Sequence, residues 1–489
     1  MSYKAGTILR VIGSLLLIIA ATMLMPLSIA YFNNESSAFD GFLLTISICI
    51  VFGLLTRSFA GLSRQKIKNR DGFLVVSLSW FVVALVGAMP FTISGAIPSF
   101  VDAFFESCSG FTTTGSSILT DIEVLPRSIL FWRSFTHWLG GMGIIVFITA
   151  VMPMFGFTGQ LIANYETPGP TKDKIAAKYS DASRFLYVIY IVMTFAEMFL
   201  LKIGGLSWFD SAVHTFGTVG TGGLSTYNDS IAHFNSTFVE IVIIVFMILA
   251  ALNFNLYFIS VKRGFSNFVK DEETRFYFSI IGIATGLIAV YNIVFDHFSE
   301  MGEKLINALF QVVSVITTTG YMTDDFDSWP TFSKFIIFAL FFVGGCASST
   351  GGGIKCIRIL VGLKLVKRGV SLKIHPNRIA PVTINDRELT SETTIRISNY
   401  LFTYAVVLAT GILLLSLNGF DLMTNFSAAA SSLGNIGPGF NLVGPTMNYS
   451  FFSDFSKLVC SFLMITGRLE LFTVLVLFSK NYWHPDSVR

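Results

Sequence analysis

The sequence predicts an all-α, polytopic membrane protein: two N-terminal helices followed by four helix–pore loop–helix repeats around a pseudo-fourfold axis. Three observations lead there. The composition is too apolar for water, the connections between apolar stretches alternate between basic and acidic, and a half-length apolar segment ending in glycine recurs four times.

Of the 489 residues, 53% are hydrophobic and 13% charged, with a mean hydropathy of +0.68. A water-soluble domain cannot hide that much apolar surface, so the expected solvent is membrane lipid. A net charge of only +3 gives a nucleic-acid partner no electrostatic support. Five cysteines without a CxxC and six scattered histidines without HExxH point away from a disulfide scaffold or a zinc site. No catalytic constellation is visible, so neither an enzyme nor a cofactor held by this chain is expected.

About 20 apolar residues cross a bilayer as a helix, and ten stretches approximate that length: 11–31, 41–59, 73–91, 129–155, 185–201, 238–261, 277–295, 332–365, 397–417 and 455–478. The first follows Lys4 and Arg10 and mimics a signal peptide. Its apolar run is too long and lacks an AxA-type cleavage site, so it reads as a retained helix. The eighth is too long for one straight span and is interrupted by glycines.

Basic clusters fall at 64–70, 172–178, 262–270 and 364–396, always in even-numbered connections, whereas Asp102, Asp121, Glu123, Asp210, Asp229, Glu300, Asp324, Asp325 and Asp327 fall in the opposite ones. The positive-inside rule then places both termini in the cytosol.

Each acidic-side connection after the first two helices carries an apolar segment too short to span: 100–111, 208–219, 305–316 and 422–433. Such segments are candidates for re-entrant helices. Aligned without gaps they read DAFFESCSGFTTTG, DSAVHTFGTVGTGG, NALFQVVSVITTTG and TNFSAAASSLGNIG, ending at Gly115, Gly223, Gly320 and Gly437. The final glycines are separated by 223 − 115 = 108, 320 − 223 = 97 and 437 − 320 = 117 positions. A repeat at that spacing divides the chain into an N-terminal pair of helices (1–70) and repeats over 71–180, 181–272, 273–390 and 391–489.

A cation crossing lipid needs its hydration shell replaced, and a ring of backbone carbonyls can replace it. Such a ring requires extended backbone lining a cavity, and glycine permits both φ > 0 and close approach to the ion. The short helix ahead of each loop aims the negative end of its dipole at the ion. The predicted filter residues, with a potassium ion bound among them, are therefore Thr112, Thr113, Thr114 and Gly115; Gly220, Thr221, Gly222 and Gly223; Thr317, Thr318, Thr319 and Gly320; and Gly434, Asn435, Ile436 and Gly437. The fourth copy is degenerate, so the pore is pseudosymmetric.

The eighth stretch breaks at Gly344, Gly345, Cys346, Ala347, Ser348, Ser349, Thr350, Gly351, Gly352 and Gly353. Irregular backbone is expected here, inside the protein. The residues alone leave a passive kink or a close helix contact open. A phosphate-binding loop fails on spacing, because Ile354 separates Gly353 from Lys355 and no Ser or Thr follows the lysine.

Together the pore-loop repeats, the stretch GGCASSTGGGIKCIR and the ending TGRLELFTVLVLF resemble the bacterial TrkH/KtrB superfamily of potassium transporters, and the two additional N-terminal helices are like its TrkH branch. The resemblance covers nearly the whole chain. It implies channel-like potassium uptake across the bacterial cytoplasmic membrane, a homodimer with one pore per protomer, and a TrkA-type cytosolic ring that carries the regulatory nucleotide. It also implies that 344–353, with Lys355, is an intramembrane gate beneath the filter. In related plant transporters serine at the first filter glycine accompanies sodium preference, so Gly115 favours potassium. Inverted repeats would instead mark a coupled alternating-access transporter, but these units all present their short helix on one side.

Arg468 lies 13 residues into the last stretch, about 20 Å along at roughly 1.5 Å per residue. A central arginine costs roughly 2.5–3.5 kcal/mol on insertion scales, so it is expected to donate to free carbonyls of the 344–353 loop and to repel entering cations. Glu470, two residues on, cannot face it on a helix. Glu106 and Glu197 fit a satisfied core or an ion path equally, and His137 and His214 read as packed and hydrogen-bonded. The basic loops 172–178 and 364–378 are the expected contacts of the cytosolic ring.

Overall fold

The computed structural model describes residues 5–59, 69–141, 143, 179–264, 266–295, 301–378 and 380–483. Among them the one sheet is a two-stranded hairpin, Thr383–Ile384 antiparallel to Arg387–Glu388, and the rest of the regular structure is helical. The chain is a multi-pass, all-α membrane protein. Among the described residues, six helices are long and apolar enough to cross a bilayer: Gly6–Phe32, Ser36–Phe59, Asp71–Ile93, Phe185–Ile203, Glu272–Val294 and Ser391–Asn418. Two bent pairs raise the number to eight if each is one span.

Those bends revise the expectation of continuous spans at 238–261 and 455–478. The stretch at 238–261 is Thr237–Ala251 and Phe254–Val261 meeting at 92°, and that at 455–478 is Asp454–Arg468 and Phe472–Phe478 meeting at 109°. The long stretch at 332–365 breaks into Thr331–Leu340 and Cys356–Ile374. From 129–155, the helix Arg127–Gly141 is described, and 144–178, including the basic loop 172–178, lies outside the described residues.

At the N-terminus the first two spans cross closely at Gly13 and Gly53, where a side chain on either would run into the other helix. The connection after Phe32 ties this pair to the first repeat. Glu35 accepts from the backbone N–H groups of Arg127 (2.8 Å) and Ser128 (3.0 Å) and from the Ser128 hydroxyl. The carboxylate thus meets the unsatisfied donors and positive dipole end of the helix Arg127–Gly141.

Four half-length helices follow the first spans of the repeats: Phe100–Phe111, Trp208–Gly220, Met301–Ile316 and Leu422–Gly434. Sequence explains where three of them begin. Ser99, Ser207 and Asp421 cap them, accepting from the backbone N–H of Asp102, Asp210 and Thr424 at 3.3, 3.0 and 2.9 Å. All four end in one conformation. Thr113, Thr221, Thr318 and Asn435 have φ of 55°, 56°, 58° and 53°, the left-handed turn that closes a helix C-terminus. For a non-glycine residue that region costs about 1–2 kcal/mol.

Candidate functional site

Beyond each left-handed residue the backbone repeats bond for bond. The N–H groups of Thr114, Gly222, Thr319 and Ile436 donate to the carbonyls of Ser109, Gly217, Ser314 and Ser431 at 2.9, 2.7, 2.9 and 3.0 Å. Those of Thr113, Thr221, Thr318 and Asn435 donate three residues back, at 3.1, 3.0, 3.0 and 3.4 Å. The donors of the three residues ahead of each terminal glycine are therefore spent on their own short helices, and their carbonyls are left for other partners. The glycine that ends each segment again has positive φ: 83° at Gly115, 75° at Gly223, 84° at Gly320 and 107° at Gly437.

These glycines close a ring. A Cβ on Gly115 would overlap the carbonyl oxygen of Gly222, one on Gly223 that of Thr319, and one on Gly320 that of Ile436. One on Gly437 would stand 2.7 Å from the carbonyl oxygen of Thr114. Each repeat thus abuts the next, and the fourth returns to the first. The side-chain bonds are less regular. Thr112 and Thr114 share a hydroxyl contact of 2.8 Å, as do Thr317 and Thr319. In the degenerate copy Asn435 Nδ2 instead donates to Thr114 Oγ1 (3.0 Å) and the Met464 carbonyl (2.9 Å). The Gly437 carbonyl is already occupied, accepting from Ser116, Ser431 and Tyr449 at 2.9, 2.8 and 3.0 Å.

Against the helix side of this ring lies the segment 344–353. Its neck is closed by Gly344 N–H donating to Ile354 O (2.8 Å) and Cys356 N–H donating to Gly345 O (3.1 Å). Its tip touches the ring directly. The Thr221 hydroxyl is shared between Gly220 O (2.6 Å) and Thr350 O (2.9 Å), and Gly352 N–H donates to Thr318 Oγ1 at 2.6 Å. A Cβ on Gly351 would lie 3.1 Å from Thr317 O, and one on Gly352 2.6 Å from Gly434 O. Lys355, buried, donates back to Gly351 O within the loop.

The bend after Ala251 holds this loop from the side. A helix that stops leaves carbonyls without partners. Here Ala251 O accepts from Cys346 N–H (2.8 Å), and Ala250 O accepts from both the N–H (3.3 Å) and the hydroxyl (2.9 Å) of Thr350. Phe254 N–H, on the far side of the bend, donates to Ser348 O at 3.2 Å.

Arg468 completes the arrangement. Its Nη1 donates to Thr350 O at 2.7 Å, and its Nη2 to Gly140 O (2.7 Å) and Gly141 O (3.1 Å) at the end of the first repeat's second helix. The loop and Arg468 together therefore contact all four repeats. Glu470 pairs with Arg358, whose guanidinium also lies 3.8 Å from the Tyr400 ring centroid. Of the other charged candidates, Glu106 braces the first repeat. Glu106 is ion-paired with Arg133 and accepts from Ser117 Oγ and Ile118 N–H, both at 3.1 Å. Glu197 is fully buried near Thr218, and neither of its carboxylate oxygens makes a hydrogen bond among the described residues. His137 Nδ1 meets Gly110 O at 2.7 Å, and His214 bridges Asp210 O and Ser225 Oγ at 2.8 and 2.9 Å.

One residue of this site went unnoticed in the sequence. Glu273, only 3% exposed, accepts at Oε1 from Ala347 N–H (2.7 Å) inside the loop and from Ile357 N–H (3.1 Å) beyond it. As the second acidic residue in a helix's first turn, it has the sequence signature of an ordinary dipole partner.

Comparison with known proteins agrees with this architecture. The TrkH family, described as cation transport protein, matches residues 39–487. The Trk system potassium uptake protein TrkH of Halomonas elongata is 34% identical over 481 residues, 97% of this chain and 98% of that protein. The protein of the same name from Escherichia coli K12 is 33% identical over 490 residues, 99% and 100% of the two chains. The crystal structure of the potassium transporter TrkH from Vibrio parahaemolyticus superposes with a TM-score of 0.88 at 31% identity, covering 99% of this chain and 100% of that one. These relatives are named for transport and uptake, not for catalysis, and the chain belongs to the TrkH family of cation transport proteins.

Proposed function

We propose that this chain carries potassium into a bacterial cell across the cytoplasmic membrane, through the axis of the ring formed by its four repeats. The observation that supports it most is ring closure between the glycine of each repeat and a carbonyl of the next. With the N–H groups turned into the short helices, the carbonyls of residues 112–115, 220–223, 317–320 and 434–437 serve as ion ligands. Gly437 contributes least, because its carbonyl is shared among three hydroxyls.

In this reading the loop 344–353 obstructs the path on the basic side of the ring, and Arg468 and Lys355 add positive charge where a cation would leave. Its neutral anchors are individually weak, each hydrogen bond contributing about 0.5–1.5 kcal/mol net, so the proposed opening breaks several small contacts at once. The proposal extends to a homodimer with one pore in each chain, both termini in the cytosol, and a TrkA-type nucleotide-binding ring as regulator. Of the proposed contacts with that ring, the loops 172–178 and 364–378, Lys364 is engaged internally by Glu272 and Thr383 O, which leaves the loop 172–178 and the more distal basic residues 367–378.

Reconstitution in liposomes under opposing potassium and sodium gradients tests the central statement. Current reversing near the potassium equilibrium potential is expected. Obligatory coupling to a second ion would contradict it.

A further inference from the structure

The hairpin Thr383–Ile384/Arg387–Glu388 is far from the ring in sequence, yet it joins the loop's supports. Its turn residues, Asn385 and Asp386, have φ of 50° and 61°, the pair of left-handed conformations that a two-residue hairpin turn requires. Asn385 docks reciprocally on the start of the helix Glu272–Phe295. Glu272 N–H donates to Asn385 Oδ1 (2.8 Å), Asn385 N–H donates to Glu272 Oε1 (3.2 Å), and Asn385 Nδ2 donates to Asp271 Oδ1 (2.7 Å). Lys364 closes the other side, bound to the Glu272 carboxylate and to Thr383 O.

The residue after Glu272 is Glu273, which grips the loop at Ala347 and Ile357. The apolar side of the hairpin reaches the same place. Val382 and Ile384 are buried in a small cluster with Ala347, Ile357, Val361 and Ile397, separate from the main core. Hairpin, helix start and loop therefore share both a polar clamp and an apolar contact. Burying a carboxylate is expensive unless it is hydrogen-bonded. Both bonds assigned to Glu273 run to backbone N–H groups on either side of the loop's neck.

We propose that Glu273 is the positioning residue of the intramembrane loop, and that it holds the loop across the ring only while the hairpin at 383–388 stays docked on Asp271 and Glu272. This rests on reading 344–353 as an obstruction. Displacing the hairpin shifts the start of the helix, frees Ala347 and Ile357, and lets the loop leave the ring.

The test is cation flux into liposomes holding the full chain without any regulatory protein. Asn385→Asp keeps the size and the left-handed tolerance of asparagine but sets a third carboxylate against Asp271 and Glu272. Asn385→Asp and Glu273→Ala are each expected to raise flux about tenfold or more, a shift of roughly 1.4 kcal/mol. Combined, they should exceed the larger single effect by little, since both release one contact. Glu273→Gln keeps an oxygen that accepts both N–H groups and should stay at the wild-type level, with potassium-to-sodium preference unchanged throughout. Deleting Ser348, Ser349 and Thr350 is the reference. If deletion raises flux and Asn385→Asp does not, this proposal is overturned while the obstruction stands. If deletion itself leaves flux unchanged, the obstruction reading fails and this one with it. Should Glu273→Ala not fold, hydrogen exchange at Ala347 and Ile357 in Asn385→Asp decides: faster exchange is expected, and unchanged exchange overturns the coupling.

Discussion

The guanidinium of Arg468 donates to the carbonyl oxygen of Thr350 at 2.7 Å, and the Thr221 hydroxyl, shared with Gly220 O, reaches that same oxygen at 2.9 Å. One backbone oxygen of the loop thus joins the fourth repeat's second helix to the second repeat's ring segment. Arg468 donates to carbonyls of the loop and of the first repeat, which offsets the cost of a charge at membrane depth and makes this side chain one of the loop's anchors.

Gly115→Ser should lower the preference for potassium over sodium. At φ 83° any Cβ is strained by about 1–2 kcal/mol, and this one is directed at the Gly222 carbonyl oxygen. That carbonyl must move, distorting the ring at the junction of repeats 1 and 2. Permeability ratios from reversal potentials check this, and unchanged ratios in a folded Gly115→Ser protein would remove Gly115 from the filter.

Thr318→Val should raise flux in the absence of any regulator. It deletes the acceptor of Gly352 N–H while keeping the β-branched shape at φ 58°. Leaving a buried N–H unsatisfied costs about 1–3 kcal/mol, equivalent to roughly 5–150-fold in a two-state equilibrium. In the proposed gate the lost bond belongs to the closed arrangement, so the open one gains. A flux equal to wild type would show that this bond does not hold the loop.

Glu106→Ala should damage folding more than gating. It strands Arg133, which is 2% exposed and bonded also to Ser225 O at 3.0 Å, and breaking one side of a buried pair costs about 3–5 kcal/mol. Thermal unfolding in detergent should shift down, and Glu106→Leu combined with Arg133→Leu should recover part of the loss. A wild-type melting profile for Glu106→Ala would refute the bracing role.

How much of this was legible in the sequence follows from how local each signal is. The ring segments could be aligned because small residues and a terminal glycine recur in each copy, and their shared backbone conformation depends on little else. Arg468 could be paired with the loop by depth alone, since both sit well inside apolar stretches. The bends after Ala251 and Arg468 were not legible. Neither has a proline, and the polar residues at them, Asn253 and Asn255 at the first and Arg468 and Glu470 at the second, are compatible with a continuing helix. The one local sign at the first is Asn253, whose side chain accepts from Asn255 N–H at 3.0 Å as a helix cap. At the second, Glu470 and Leu471 both hold positive φ, 59° and 55°, conformations that no sequence rule assigns to those residues. Glu106 and Glu273 could not be resolved either. Their partners lie 27 and 74 positions away, and only tertiary packing brings them together.

The account stands on Arg468 holding the loop closed, and regulator-free cation flux from monodisperse Arg468→Ala protein in liposomes measures that directly. Removing the side chain takes away a charged hydrogen bond to Thr350, worth about 1.5–3 kcal/mol, together with the positive charge beside the path. Flux should rise at least about tenfold, the equivalent of roughly 1.4 kcal/mol, and adding the deletion of Ser348–Thr350 should raise it little further. Flux at or below the wild-type level from the folded variant would contradict the gate.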